Sequence, residues 1–422
     1  MLSPLKLLVV TGCSMFVMVP KLQAHHPGLH ALAREFFAWR AATQPATGDD
    51  VNRVERPDGW VPDWSPDALA RYNAEQKHFR QRLLSLKQVG WTTADSVDFL
   101  LLRSAIARVD FELNVVRSAR RNPGFYVQQT LGAVYELLLQ PAPFSETRTE
   151  NLIARLESIP ATLKNARDNL SEPIAAFGKL AVEDLGNITS QLETLSRELK
   201  LILPAPNRGR FIDAVNSAAD ALTEYREWTR KELPKMRGAF VIGREAYDRY
   251  LKEIALMPYT GDDLLRMAEM EWDRAVAFDH LEMLRDRDLP PSSFFPSSAA
   301  QIDAEKQDEE NVRRFLVEKH IIDIPSWMGH YWNQKIPPYL VPLAWLGESD
   351  DLTSPSRRGQ NAVSYIPEPA PDLSFFGKAS AQDPRPIMVH EGIPGHFSSL
   401  CSPGRIQTRF EGTTSTQVLL KA

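Results

Sequence analysis

The stretch Phe99-Leu100-Leu101-Leu102-Arg103-Ser104-Ala105-Ile106-Ala107-Arg108-Val109-Asp110-Phe111-Glu112-Leu113-Asn114-Val115-Val116 decides the fold class of this chain. Phe99, Leu102, Ile106, Val109, Leu113 and Val116 recur at steps of three and four, which gathers them into one apolar stripe on a helix, with Ser104 and Arg108 opposite. A helix patterned in this way has to bury its stripe, so partners of the same kind are expected. They follow along the sequence. A second stripe runs through Leu180, Leu185, Ile188, Leu192, Leu195 and Leu199 and stops before Pro204 and Pro206, where a missing backbone donor ends helical pairing. Segments near 126–140, 150–169, 208–235, 244–256, 261–287 and 301–318 also read as helices. Thr260 and Asp263 set up a capping box with aspartate in place of the usual glutamate. The expectation is a mainly α protein with a helical body over residues 98–320.

Either side of that body the pattern changes. Residues 25–97 read as an irregular N-terminal segment packing on the body, because Trp60, Pro62, Trp64 and Pro66 break any regular period. Residues 321–422 form the most proline-dense part, from Ile324-Pro325 and Pro337-Pro338 through Pro384 and Pro386, which argues against long helices there. Within it, 361–366 is either a short strand edging a cleft, with Val363 and Tyr365 on one face, or a covering loop. Residues 1–24 have the layout of a secretory signal peptide: Lys6, an apolar run from Leu7 to Val19, and Ala24 at its end. Val10-Thr11-Gly12-Cys13 gives an alternative, a lipid anchor at Cys13. Both readings place the protein in the bacterial envelope, periplasmic or extracellular, with no membrane span once the leader is removed. Cys401 is the only cysteine besides Cys13, so a processed chain has no internal disulfide to form.

Composition bounds the function. The 422 residues are 43% hydrophobic and 24% charged, ordinary globular material. A net charge of −5 without a Lys/Arg block excludes a nucleic-acid footprint. Chemistry concentrates instead in Val389-His390-Glu391-Gly392-Ile393-Pro394-Gly395-His396, where two imidazoles and a carboxylate lie within seven residues. Neutral nitrogen ligands for zinc and a base for a water are what a hydrolytic metal site requires. The bland alternative is a pair of hydrogen-bonding histidines. Six residues separate His390 from His396, which on an ideal helix turns the second about 240° from the first. Convergence on one metal therefore needs a break, and Pro394 with Gly395 supplies the chemistry for one. Ile387, Met388 and Val389 are expected to be buried and to carry His390 and Glu391 into a low-dielectric cleft. Tyr331, Tyr365 and Arg385 are candidate substrate-binding groups, since phenols and a guanidinium suit an oxyanion or a substrate carboxylate. Asp308-Glu309-Glu310 reads as solvated charge.

The segment from His390 to His396 resembles the signature of the domain of unknown function 885 family, bacterial proteins grouped with zinc metallopeptidases of the gluzincin type. Leu156-Glu157-Ser158-Ile159-Pro160, the run Gly243 to Leu251, Met257-Pro258-Tyr259-Thr260 and Ile324-Pro325 resemble its helical body, so the likeness spans roughly residues 30–400. The resemblance implies a multi-helix zincin-like metallopeptidase-type fold with a small irregular or short-strand region beside the cleft. It implies Zn2+ held by His390 and His396, Glu391 as general base, and a peptide or protein substrate. It also implies a third ligand, a glutamate on a following helix. Glu411-Gly412 begins such a segment, but Thr413 to Thr416 do not continue it. Glu411 is thus either that ligand or a solvated tail residue, and the chain is expected to be a C-terminally shortened member. Its rival function is a non-catalytic helical binding or scaffold protein descended from the same family.

Overall fold

The computed structural model describes residues 26–46, 55–239, 241–290, 292–347, 349–350, 357 and 359–401. The leader, Cys13 and Glu411 lie outside the described residues. The N-terminal part corrects the expectation of an irregular segment over 25–97, for it contains helix α1 (Pro27–Thr43) and helix α2 (Pro66–Leu84). Each opens with a capping side chain followed by proline: His26 accepts from the Leu29 amide and Ser65 from the Ala68 amide. In the first turn proline forfeits no hydrogen bond, so Pro66 starts a helix where it had been taken to disrupt one. Among the described residues the irregular parts are the connectors on either side of α2. There Trp60 lies 4.9 Å from the Arg155 guanidinium, and the Trp64 indole donates to Gln129 Oε1 at 3.1 Å.

Helix α3 (Thr93–Phe111) begins on a capping box between Thr92 and Asp95 and buries Phe99, Leu102, Ile106 and Val109 against Leu29, Phe36, Phe79 and Leu83. It passes into a π-helical turn, Glu112–Val116, that ends at Arg117 in the left-handed region. Then come α4 (Ser118–Arg121), α5 (Pro123–Val127), a second π-helical turn (Gln128–Gly132) and α6 (Ala133–Leu139). The main core is built by α7 (Glu146–Asn169), α8 (Ala175–Asp184), α9 (Ile188–Leu199) and α10 (Arg208–Glu232). Leu152, Leu156, Ile159 and Leu163 of α7 are buried, as are Phe211, Val215, Leu222 and Tyr225 of α10. The second apolar stripe is divided between two helices rather than continuous. Leu185 and Ile188 stay buried across the division, while Leu180 is exposed.

Beyond α11 (Arg244–Glu253), helix α12 (Gly261–Arg285) starts on the Thr260–Asp263 capping box as expected, yet none of its side chains is buried. Helix α13 (Ser298–Glu318) then packs beside a small sheet of β1 (Tyr331–Lys335), β2 (Ser349–Asp350) and β3 (Ala362–Ile366) in the order β1-β3-β2. Strand β1 runs parallel to β3 with Tyr331 opposite Ala362, and β2 runs antiparallel to it. The expected strand exists, but both its edges are paired. On the β1 side it is paired along its whole length, and on the other side β2 takes up Val363 and Ser364, the middle of the edge that an extended substrate would use. Short helices α14 (Phe375–Gln382), α15 (Arg385–Glu391) and α16 (His396–Cys401) complete the described chain. Among the described residues no helix is long and apolar enough to cross a membrane.

Candidate metal centre

The break demanded by the His390–His396 spacing is present. Helix α15 ends at Glu391, the Gly392 amide closes the last turn onto Met388 O at 2.8 Å, and α16 starts at His396. Between them the backbone folds back on itself. A Cβ on Gly395 would stand 1.8 Å from His390 O, so only glycine allows residue 395 to approach the end of α15 so closely. Gly392 is similarly confined, 2.6 Å from Met388 O at its notional Cβ. Ile393 and Phe397 fix the turn by burying into a cluster with Leu316, Ile322, Met328 and Tyr331. Ser398 ties it further, its hydroxyl 2.6 Å from Pro394 O and its amide 3.2 Å from Gly392 O. Each buried anchor flanks a residue of the signature, so packing aims the imidazole of His396 back toward α15.

The result is a cluster. The His390 and His396 ring centroids are 4.8 Å apart with the ring planes at 86°. His390 Nε2 lies 3.8 Å from Glu391 Oε1, and a ligand atom from each of the three residues lies within 4.8 Å of the others. Donors around a tetrahedral zinc ion are roughly 3.4 Å apart given bonds near 2.1 Å. Closing by up to about 1.4 Å is within reach of side-chain rotations at an exposed site. Two imidazoles and a carboxylate therefore fit a borderline-soft divalent ion in chemistry and in spacing. The expected low-dielectric cleft is corrected: the His390 side chain is 65% exposed and that of Glu391 37%, and Val389 is exposed, while only Met388 of the lead-in is buried. A seven-residue helix cannot sink both its lead-in and its terminal pair.

The three candidate substrate groups fare differently. Tyr365 is buried in the main core and its hydroxyl donates to Leu139 O at 3.0 Å, so it is a packing residue of a central strand, which corrects its assignment to substrate. Tyr331 is also buried. It supports the turn from below, its Cβ 3.4 Å from where a Gly392 Cβ would be and its ring 6.1 Å from Phe397. Arg385 is exposed at the far end of α15, held by Asp383 at 2.7 Å, and its side-chain hydrogen bond keeps the Asp383 carboxyl below the usual carboxylate range.

One polar assembly was missed. Glu309, read from sequence as solvated, is buried: Arg313 donates to it and His330 Nδ1 sits 2.8 Å from its other oxygen. One helical turn away Glu305 is also buried, accepting from Gln301 at 2.9 Å and from Asn333, and burial raises its carboxyl above the ordinary value. Gln301, Glu305, Glu309 and Arg313 are spaced by four, which places them on one face of α13. That polar stripe was the available signal, hidden because charged stripes usually face water.

Comparison with known proteins covers both fold and family. The family model described as "Bacterial protein of unknown function (DUF885)" matches residues 44–280, more than half of the chain. The chain belongs to the DUF885 family. The DUF885 match covers α2 to α11 and most of α12, and ends before α13 and the His390 segment. No curated protein matches the chain. A solved structure, that of "a putative lipoprotein of unknown function" from Shewanella oneidensis, is similar over 91% of this chain and 73% of its own, with a TM-score of 0.60 at 16% identity. Likeness at that identity shows the fold of this DUF885 member.

Proposed function

We propose that the chain is a zinc-dependent peptide-bond hydrolase of zincin-like ancestry, acting in the bacterial envelope on a peptide or protein substrate. A single observation carries this reading: His390, Glu391 and His396 converge to within 4.8 Å across a turn that only glycine at 395 permits. His390 and His396 would hold the ion through ring nitrogens. Zinc, when bound, supplies an acidified water and a polarised carbonyl. The remaining work falls to Glu391, whose carboxylate takes a proton from the attacking water and delivers it to the nitrogen of the leaving amine. The exposed His390 side chain leaves the site accessible from solvent. Envelope location draws on the leader-like residues 1–24 and on the description of the Shewanella oneidensis neighbour as a lipoprotein.

A second reading, a non-catalytic helical binding protein, draws on a different observation. Among the described residues the cluster offers one carboxylate, and Glu391 cannot serve fully as both ligand and base. Incubating the zinc-loaded chain with a peptide library and reading cleavage by mass spectrometry separates the two. Hydrolysis that disappears in Glu391→Gln while zinc stays bound supports the hydrolase. No cleavage of any library member by the loaded parent leaves the binding protein.

A further inference from the structure

We propose that the cavity between α1–α5 and the Trp345–Gly347 segment binds a small acidic ligand with an aromatic or apolar body, at a site separate from the His390 turn. The cavity measures about 980 Å3, the size of a pocket for a molecule of several hundred daltons. No residue of the His390 signature lines it.

Charge identifies the ligand's headgroup. Arg40, Arg108, Arg117 and Arg120 line the cavity together with one carboxylate, Glu112. Glu112 is shared, 2.9 Å from Arg40 and 3.1 Å from Arg108, and Arg117 reaches outside the lining to Glu172 at 2.8 Å. Arg120 is exposed and has no carboxylate partner among the described residues. Among the described residues, even with Glu172 counted, positive charge is in excess in a concavity with apolar walls, which focuses the field and favours an anion. Guanidinium groups fit carboxylate and phosphate in the same forked geometry, so the headgroup is one of those two.

Aromatic walls identify the body. Trp39, Trp64, Phe125 and Trp345 line the same cavity, with Trp64 and Phe125 in edge contact at 4.9 Å. Trp345 comes from far along the chain, and its segment is anchored where the Tyr135 hydroxyl donates to Gly347 O. Flat apolar faces beside guanidinium groups suit a ring-bearing acid better than a bare ion.

The backbone adds an independent argument. The turn Glu112–Val116 that supplies Glu112 to the lining is π-helical, and its exit, Arg117, has φ 54° and ψ 43°. The second π-helical turn contributes Gln128 to the same lining. Such turns are frequent at functional sites, and the left-handed region is disfavoured for a residue that carries a Cβ. Both irregularities open on one cavity, which is what a ligand site would justify.

The test is calorimetric titration of the full chain with the α-amide of N-acetyl-phenylalanyl-glutamate, the α-amide of its glutamine counterpart and phenyl phosphate, in the parent and in Arg120→Gln, Arg117→Gln and His390→Ala. At least one acidic probe is expected to bind, at least ten-fold more tightly than the neutral glutamine dipeptide. The tighter of the two acids identifies carboxylate or phosphate as the headgroup. Arg120→Gln, at an exposed position, is expected to weaken that binding about five-fold with unchanged circular dichroism, and His390→Ala to leave it intact. Equal binding of acid and amide, no binding of either acid at millimolar concentration, no effect of both arginine variants, or loss in His390→Ala would each overturn the proposal.

Discussion

Helix α7 and the turn between α15 and α16 both contain a proline, and the chain treats the two in opposite ways. Pro160 sits inside a 24-residue helix that continues through it, whereas Pro394 lies in a segment where the helix ends and reverses. The difference is in the neighbours. Ile159 and Leu163 are buried on either side of Pro160 with Leu152, Leu156 and Ala166 on the same face, so packing against α10 outweighs one lost hydrogen bond. Around Pro394, Gly392 and Gly395 bring backbone onto backbone, and the buried Ile393 and Phe397 are held by a different cluster. Proline marks where a helix is weak; the apolar residues around it determine whether it breaks. Stability is therefore concentrated in the α7–α10 body, while the candidate chemistry rests on a short exposed turn.

This contrast yields graded tests. The largest effect belongs to the body: Leu156→Ala, removing a fully buried side chain, is expected to cost about 2–5 kcal/mol in urea unfolding. A cost below ~1 kcal/mol would show that the body does not dominate. Gly395→Ala addresses the turn alone. Its new methyl group meets the His390 carbonyl, so zinc affinity should fall at least hundred-fold, about 2.8 kcal/mol, while the unfolding midpoint of the body barely moves. Zinc binding equal to that of the parent would mean that the close approach is dispensable.

The smallest effect probes the layer that connects the two. Burial lifts the Glu305 carboxyl above its ordinary 4.5. A carboxyl raised on folding contributes stability that is fully present below the unfolded value and is lost as pH rises through the folded one. Glu305→Gln removes that dependence. The variant should gain on the parent as pH rises above the ordinary carboxylate value toward neutrality, and the buried Asn333 Oδ1, without a partner among the described residues, can accept from the new amide after a flip. A variant less stable than the parent at neutral pH would contradict the assignment of burial as the cause.

Much of the fold was legible because helical periodicity reports burial directly. The stripe from Phe99 to Val109, the capping box at Thr260 and Asp263, and the strand at 362–366 were all readable. Other features depend on partners distant in sequence. Pro66 reads as disruption until Ser65 is seen capping α2, and Tyr365 reads as a substrate donor until its hydroxyl is found on Leu139 O. At the site, the need for a break followed from the spacing of the imidazoles alone. Its open setting did not, because exposure depends on which residues of a short helix face Leu316 and Ile322, and α13 and the sheet determine that.

The account depends most on whether the ring nitrogens at 390 and 396 share one divalent ion, and equilibrium zinc binding by competition with a chromophoric chelator measures this directly. One zinc per chain is expected for the parent, with His390→Ala and His396→Ala each losing at least a hundred-fold in affinity while keeping the parent's circular dichroism. Sub-stoichiometric zinc in the parent, or full retention in both single variants, would contradict it.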